Sequence, residues 1–144
     1  MNKNYIVPDA IAYIKGDEII TGEAKFFSHN NTVLVMVTLY NLPKTQTNFF
    51  AFHIHEGDSC GGENYSETKS HFNPEKTMHP LHAGDLPPLY SAGGTAYMAV
   101  LTDRFTIDDI LKKTVVVHDM PDDFYSQPAG NSGTKIACGV IQKA

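Results

Sequence analysis

The 144-residue chain has no run of Lys and Arg longer than Lys112-Lys113 and a formal net charge of -5, so neither nucleic acid nor an anionic membrane surface is an expected partner. No apolar stretch approaches the ~20 residues that span a bilayer, and Met1 to Pro8 lacks the apolar core of a signal segment. A soluble chain is expected. Its compartment stays open: cytoplasmic if the chain is complete, outside the cytoplasm if a signal segment has been removed. Internal repeats and low-complexity segments are absent, and the length suffices for one domain over residues 1–144 but not for two of ordinary size. Cysteine is scarce. Cys60 and Cys138 are either two unrelated buried thiols or one disulfide, which would close a loop of about 80 residues worth about 4 to 5 kcal/mol in the chain-entropy treatment.

What is present is mostly strand signal. Segments rich in Val, Ile, Tyr and Phe occur at Ala10 to Ile14, Glu23 to Phe27, Thr32 to Tyr40, Phe49 to His55, Thr95 to Thr102, Thr114 to His118 and Lys135 to Ile141. Turn formers such as Gly16-Asp17, His29-Asn30-Asn31 and Asn41-Leu42-Pro43 punctuate them, which reads as an antiparallel sandwich or barrel. Only Thr106 to Lys113 is expected to turn helical, with Thr106 as N-cap and Asp108 and Asp109 in the first turn. Glu56 to Gly94 shows no sustained periodicity. Loops far beyond ~15 residues are rare unless functional or disordered, so this one needs ties. A second loop, Asp119 to Thr134, is acidic and then rich in Gly, Pro and Asn.

Six of the seven histidines supply the ties. In a strand, side chains two apart share a face, so His53 and His55 aim at one point while Phe52 and Ile54 face the core. A lone strand histidine is more often a hydrogen-bonded core residue. Six buried imidazoles would each need a polar partner, and a shared metal removes that requirement. His71, His79, His82 and Asp85 make a tetrahedral zinc set, while His53, His55, His71 and His118 offer the four-nitrogen field that suits Cu(II). One ligand serves both. His29, in a polar turn, is assigned no role and is expected to be solvated.

At this point the chain resembles the copper/zinc superoxide dismutase family. The resemblance is carried by Phe52-His-Ile-His-Glu56, His71-Phe-Asn-Pro74, His82-Ala-Gly-Asp-Leu86, Val115-Val-Val-His-Asp119 and Gly130 to Ile141, in family order. Either HFNP or HAGD alone is weak, whereas the ordered set is specific. It implies an all-β Greek-key β-barrel, or flattened sandwich, with two long loops carrying the metal site. It implies copper on His53, His55 and His118, zinc on His79, His82 and Asp85, and His71 bridging the two as an imidazolate. A Cys60–Cys138 disulfide and an Asp122 carboxylate linking His53 to His79 are also implied. The implied activity is antioxidant: an oxidoreductase that turns superoxide, its substrate, into dioxygen and hydrogen peroxide by Cu(II)/Cu(I) cycling, with His71 delivering a proton. A homodimer and a copper chaperone are left open as partners.

Three departures qualify that expectation. Where the family places an arginine just before the last strand, this chain has Lys135, which keeps the charge but lacks the planar fork, so reduced activity is expected. The interval between His79 and His82 is short, removing loop rather than ligands. The loop from Asp119 to Thr134 carries no lysine or arginine, so long-range steering from it is weak. The rival readings are a copper or zinc carrier or store on the same barrel, and a structural sandwich in which His118 would be dispensable.

Overall fold

The strand signals resolve into nine antiparallel strands among the residues described, 6–17 and 19–144 of a computed structural model. Met1 to Tyr5, part of the segment read above for a signal core, lie outside the described residues. In chain order the strands are β1 (Ala10–Gly16), β2 (Thr21–His29), β3 (Thr32–Tyr40), β4 (Phe49–Phe50), β5 (Phe52–His55), β6 (Leu89–Ala92), β7 (Thr95–Thr102), β8 (Thr114–His118) and β9 (Lys135–Lys143). Their spatial order is β4-β6-β7-β3-β2-β1-β9-β8-β5. Period-two alternation positions the core. In β3, Val33, Val35, Val37 and Leu39 are buried against Ala24 and Phe26 of β2, while Leu34, Met36 and Thr38 between them are half-buried on the outer face.

The segment read from sequence as one strand, Phe49 to His55, is two. It breaks at Ala51, and its halves pair with opposite edges of the sheet, β4 with β6 and β5 with β8. Ala51 sits at the crossing, donating its N–H to Met120 O and accepting from His118 N, both at 2.9 Å. One short segment thus links the two ends of the sheet and leaves the barrel nearly closed.

The long loop also holds more than its composition announces. It contains a 3-10 segment over Glu63–Thr68 and ends in β6, which forms a hairpin with β7 through Gly93-Gly94. β6 is only four residues, too short for its alternation to stand out. The expected helix is a single turn, α1 (Ile107–Ile110). Thr106 caps it as read: its hydroxyl accepts from Asp109 N at 3.3 Å, and the Asp109 carboxylate accepts from Thr106 N at 2.8 Å. Among the described residues no helix is long and apolar enough to cross a membrane.

Candidate metal centre

β5 brings the first two imidazoles into the interior beside the long loop. All four of its residues are buried, with Phe52 and Ile54 in the apolar core. Its free edge is stitched to that loop: Ile54 N donates to Gly84 O, Phe72 N donates to Ile54 O, and Gly84 N donates to Phe72 O. These contacts set His53 opposite Asp85 and His55 opposite His71 as antiparallel bridges. The approach demands glycine at 84, because a Cβ there would lie 2.2 Å from Ile54 O.

His118 arrives from the other edge of β5, at the end of β8. Val117 pairs with Ala137, but His118 pairs with Lys135, so Ile136 is an extra residue in β9. Such a bulge re-aims the neighbouring side chains. Here it puts Lys135 directly across from His118.

The six imidazoles and Asp85 gather into two groups that share His71: His53, His55, His71 and His118 in one, His71, His79, His82 and Asp85 in the other. In the second, His71 Nδ1 is 2.8 Å from Asp85 Oδ1 and 3.2 Å from His82 Nδ1. His79 Nδ1 and His82 Nδ1 lie 3.0 and 3.3 Å from Asp85 Oδ2. A tetrahedron of ligands about 2.0 Å from zinc has edges of about 3.3 Å, so the spacing fits that ion. In the first group, His53 Nδ1, His55 Nε2, His71 Nε2 and His118 Nδ1 are buried and have no hydrogen-bond partner. Buried polar atoms are rarely left unpaired. Four buried imidazoles, each able to offer one ring nitrogen within 4.8 Å of the others, fit a single cation that prefers imidazole, as copper does.

The remaining ring nitrogens are held from outside. Asp122 spans the two groups: its Oδ2 is 2.8 Å from His53 Nε2 and its Oδ1 is 2.8 Å from His79 Nε2. Gly130, at φ 73°, allows that bridge, since a Cβ there would lie 2.0 Å from Asp122 Oδ1. His55 Nδ1 meets Lys69 O at 2.7 Å. Burial holds His53 down at about 4 against the opposing pull of Asp122, and burial with the neighbouring His53 and His71 holds His118 at about 3. His55 is also depressed well below its ordinary value by burial. These rings are neutral near pH 7, the state in which imidazole ligates metal. Burial alone would raise the Asp122 carboxyl, but hydrogen bonds from His53, His79 and Phe124 N bring it down to about 2.

The centre opens on a cleft lined by His55, His71, His118, Lys69 and Lys135, with loop residues 127–133 on its far wall. Lys135 Nζ donates to Thr68 Oγ1 at 2.7 Å and to Lys69 O at 3.3 Å. Cys60 and Cys138 are joined, tying the long loop to β9. His29 is exposed at the end of β2 and belongs to neither group. Sequence reading missed several supports. Gln127 accepts from His79 N and donates to His79 O, and Arg104 Nη1 donates to Pro80 O and His82 O. Neither residue carries a local signal, since each acts across more than 20 positions of chain. Lys69, two residues before His71, was the one whose place in the sequence offered a hint.

Residues 20–141 match the family model for copper/zinc superoxide dismutase (SODC). Superoxide dismutase [Cu-Zn] 1 of Aquifex aeolicus is 36% identical over 143 positions, covering 89% of this chain and 82% of that protein. Superoxide dismutase [Cu-Zn] of Schizosaccharomyces pombe is 32% identical over 151 positions, covering 92% and 96%. The crystal structure of the clock protein EA4, 28% identical, superimposes over 100% of both chains with a TM-score of 0.82.

Proposed function

The chain belongs to the copper/zinc superoxide dismutase family, and from that premise we propose that it disproportionates superoxide, two anions and two protons giving one dioxygen and one hydrogen peroxide. One ring nitrogen each from His53, His55, His71 and His118 would hold copper. His71 Nδ1, His79 Nδ1, His82 Nδ1 and an Asp85 oxygen would hold zinc. When bound, copper supplies reversible one-electron exchange with superoxide, and zinc supplies a fixed positive charge without redox chemistry.

The chain's own residues do the rest. Lys135 attracts the anion to the cleft and holds it beside the four imidazoles. His71 is the proton carrier: Nδ1 stays on the Asp85 side, while Nε2 takes a proton and gives it to the departing peroxide. Asp122 fixes the ring orientation and tautomer of His53 and His79 together, the usual task of a carboxylate behind a metal-bound imidazole. The observation that carries this reading is the set of four buried, unpartnered nitrogens beside the Lys135 ammonium.

The test is superoxide decay followed by pulse radiolysis for protein loaded with copper and zinc, and for His118→Ala under the same loading. His118 is outside the zinc group, so the variant is expected to keep zinc and lose the fast decay. Decay no faster than background in the loaded parent would reject the enzyme reading in favour of metal carriage.

A further inference from the structure

Lys69 occupies a backbone conformation suited to glycine. Its φ of 62° and ψ of -147° lie in a mirror-image extended region that L side chains rarely adopt, and such residues persist only where their surroundings over-determine them. The surroundings do so here. Lys69 N donates to Ser66 O at 3.2 Å, and Lys69 O accepts from His55 Nδ1 at 2.7 Å and from Lys135 Nζ at 3.3 Å. Each of these contacts uses the Lys69 main chain. Glycine would make all of them without the steric conflict, so the lysine side chain is not what holds the loop.

That side chain is exposed and lines the cleft. Apart from the imidazoles, the charged side chains lining the cleft among the described residues are Lys69, Lys135 and Glu56. The loop across the cleft, residues 119–134, has no lysine or arginine and three aspartates. Among the described residues, one of the two lysines at the mouth therefore sits on a strained backbone. Strain at a functional site points to what the side chain contributes.

We propose that Lys69 is a second anion-guiding cation of this cleft, a specificity-determining residue that draws small monovalent anions toward the copper-side imidazoles. Lys135, tethered by Thr68 Oγ1 and the Lys69 carbonyl, holds the anion once it arrives. The inference rests on the anion chemistry proposed above and adds to it a residue with opposite effects on association and on stability. An exposed charge acts mainly through the field at the cleft mouth and is screened by salt.

Three variants separate charge from backbone: Lys69→Gly removes both charge and strain, Lys69→Gln removes charge alone, and Lys69→Arg keeps both. The probe is azide, titrated by visible absorption into protein loaded with copper and zinc, from about 10 mM to about 0.5 M ionic strength. Lys69→Gly and Lys69→Gln are expected to bind azide about two- to fivefold more weakly at low salt, the gap closing at high salt, while Lys69→Arg binds like the parent. In the metal-free, disulfide-intact chain, Lys69→Gly is expected to raise the thermal midpoint by roughly 3 °C or more and Lys69→Gln to leave it unchanged. Unchanged azide affinity and salt dependence in the two neutral variants would overturn the guiding role. A lowered midpoint in Lys69→Gly would overturn the strain argument. Since azide affinity does not depend on turnover, a parent protein without dismutase activity would still report on Lys69, and the two failures are distinguishable.

Discussion

Lys135 lies across from His118 at the cleft, and its surroundings show what an arginine in its place would alter. Its ammonium has two acceptors, Thr68 Oγ1 and Lys69 O, and burial lowers its pKa. A guanidinium has five donors in a planar fork, so arginine could keep both acceptors and still direct two N–H groups at the anion. Lys135→Arg is therefore expected to raise the superoxide decay rate of the metal-loaded protein, and Lys135→Met to lower it by about tenfold. An unchanged rate in Lys135→Arg would count against Lys135 as the anion-docking group. At this scale the sequence was readable where chemistry is rare: histidines in a fixed order, one aspartate three residues after His82, one aspartate four after His118. The Thr68 hydroxyl and the Lys69 carbonyl were not readable as partners of Lys135, because every residue has a main-chain carbonyl, Ser and Thr are common, and only the fold places these two.

At the level of elements, the zinc-side loop is held by groups far from it in sequence. Only Pro80 and Leu81 separate His79 from His82, which leaves little backbone to form a self-supporting loop. Arg104, the single arginine of the chain, compensates by donating to Pro80 O at 2.8 Å and His82 O at 3.1 Å. Arg104→Met, close in length and without donors, is expected to weaken zinc retention about tenfold against a competing chelator, with far-UV dichroism unchanged. Retention equal to the parent would mean that the short loop is held by Gln127 and β5 alone. The β9 bulge is a second case of an element setting a site. The strand was legible from its apolar residues, but the extra Ile136 that aligns Lys135 with His118 was not, because a bulge is a property of two strands in register.

For the molecule as a whole, burying the imidazoles makes stability depend on pH in a definite direction. In the unfolded chain His53 and His118 take up protons near 6.5, whereas in the folded metal-free chain they do so only at about 4 and about 3. Between these values the unfolded state binds more protons, so stability rises with pH through the window and falls on acidification. Asp122, depressed from 3.8 to about 2, adds the same sign lower down. The denaturant midpoint of the metal-free chain is expected to be lower at about pH 5 than at about pH 7.5. A midpoint that is equal or higher at the acidic value would show that the rings are not buried as described.

Taken alone, the sequence determined the fold class, the strands longer than about five residues, the helix cap at Thr106 and the closely spaced sets His53–His55 and His79–His82–Asp85. It could do so because period-two alternation, capping chemistry and ligand spacing are local properties of the chain. The near-closure of the barrel at Ala51, the bulge at Ile136, the Arg104 tie and the strained Lys69 carbonyl between His55 and Lys135 were decided by the tertiary structure. Each is a hydrogen bond or register between segments distant in sequence, and only packing around a common core fixes which distant groups meet.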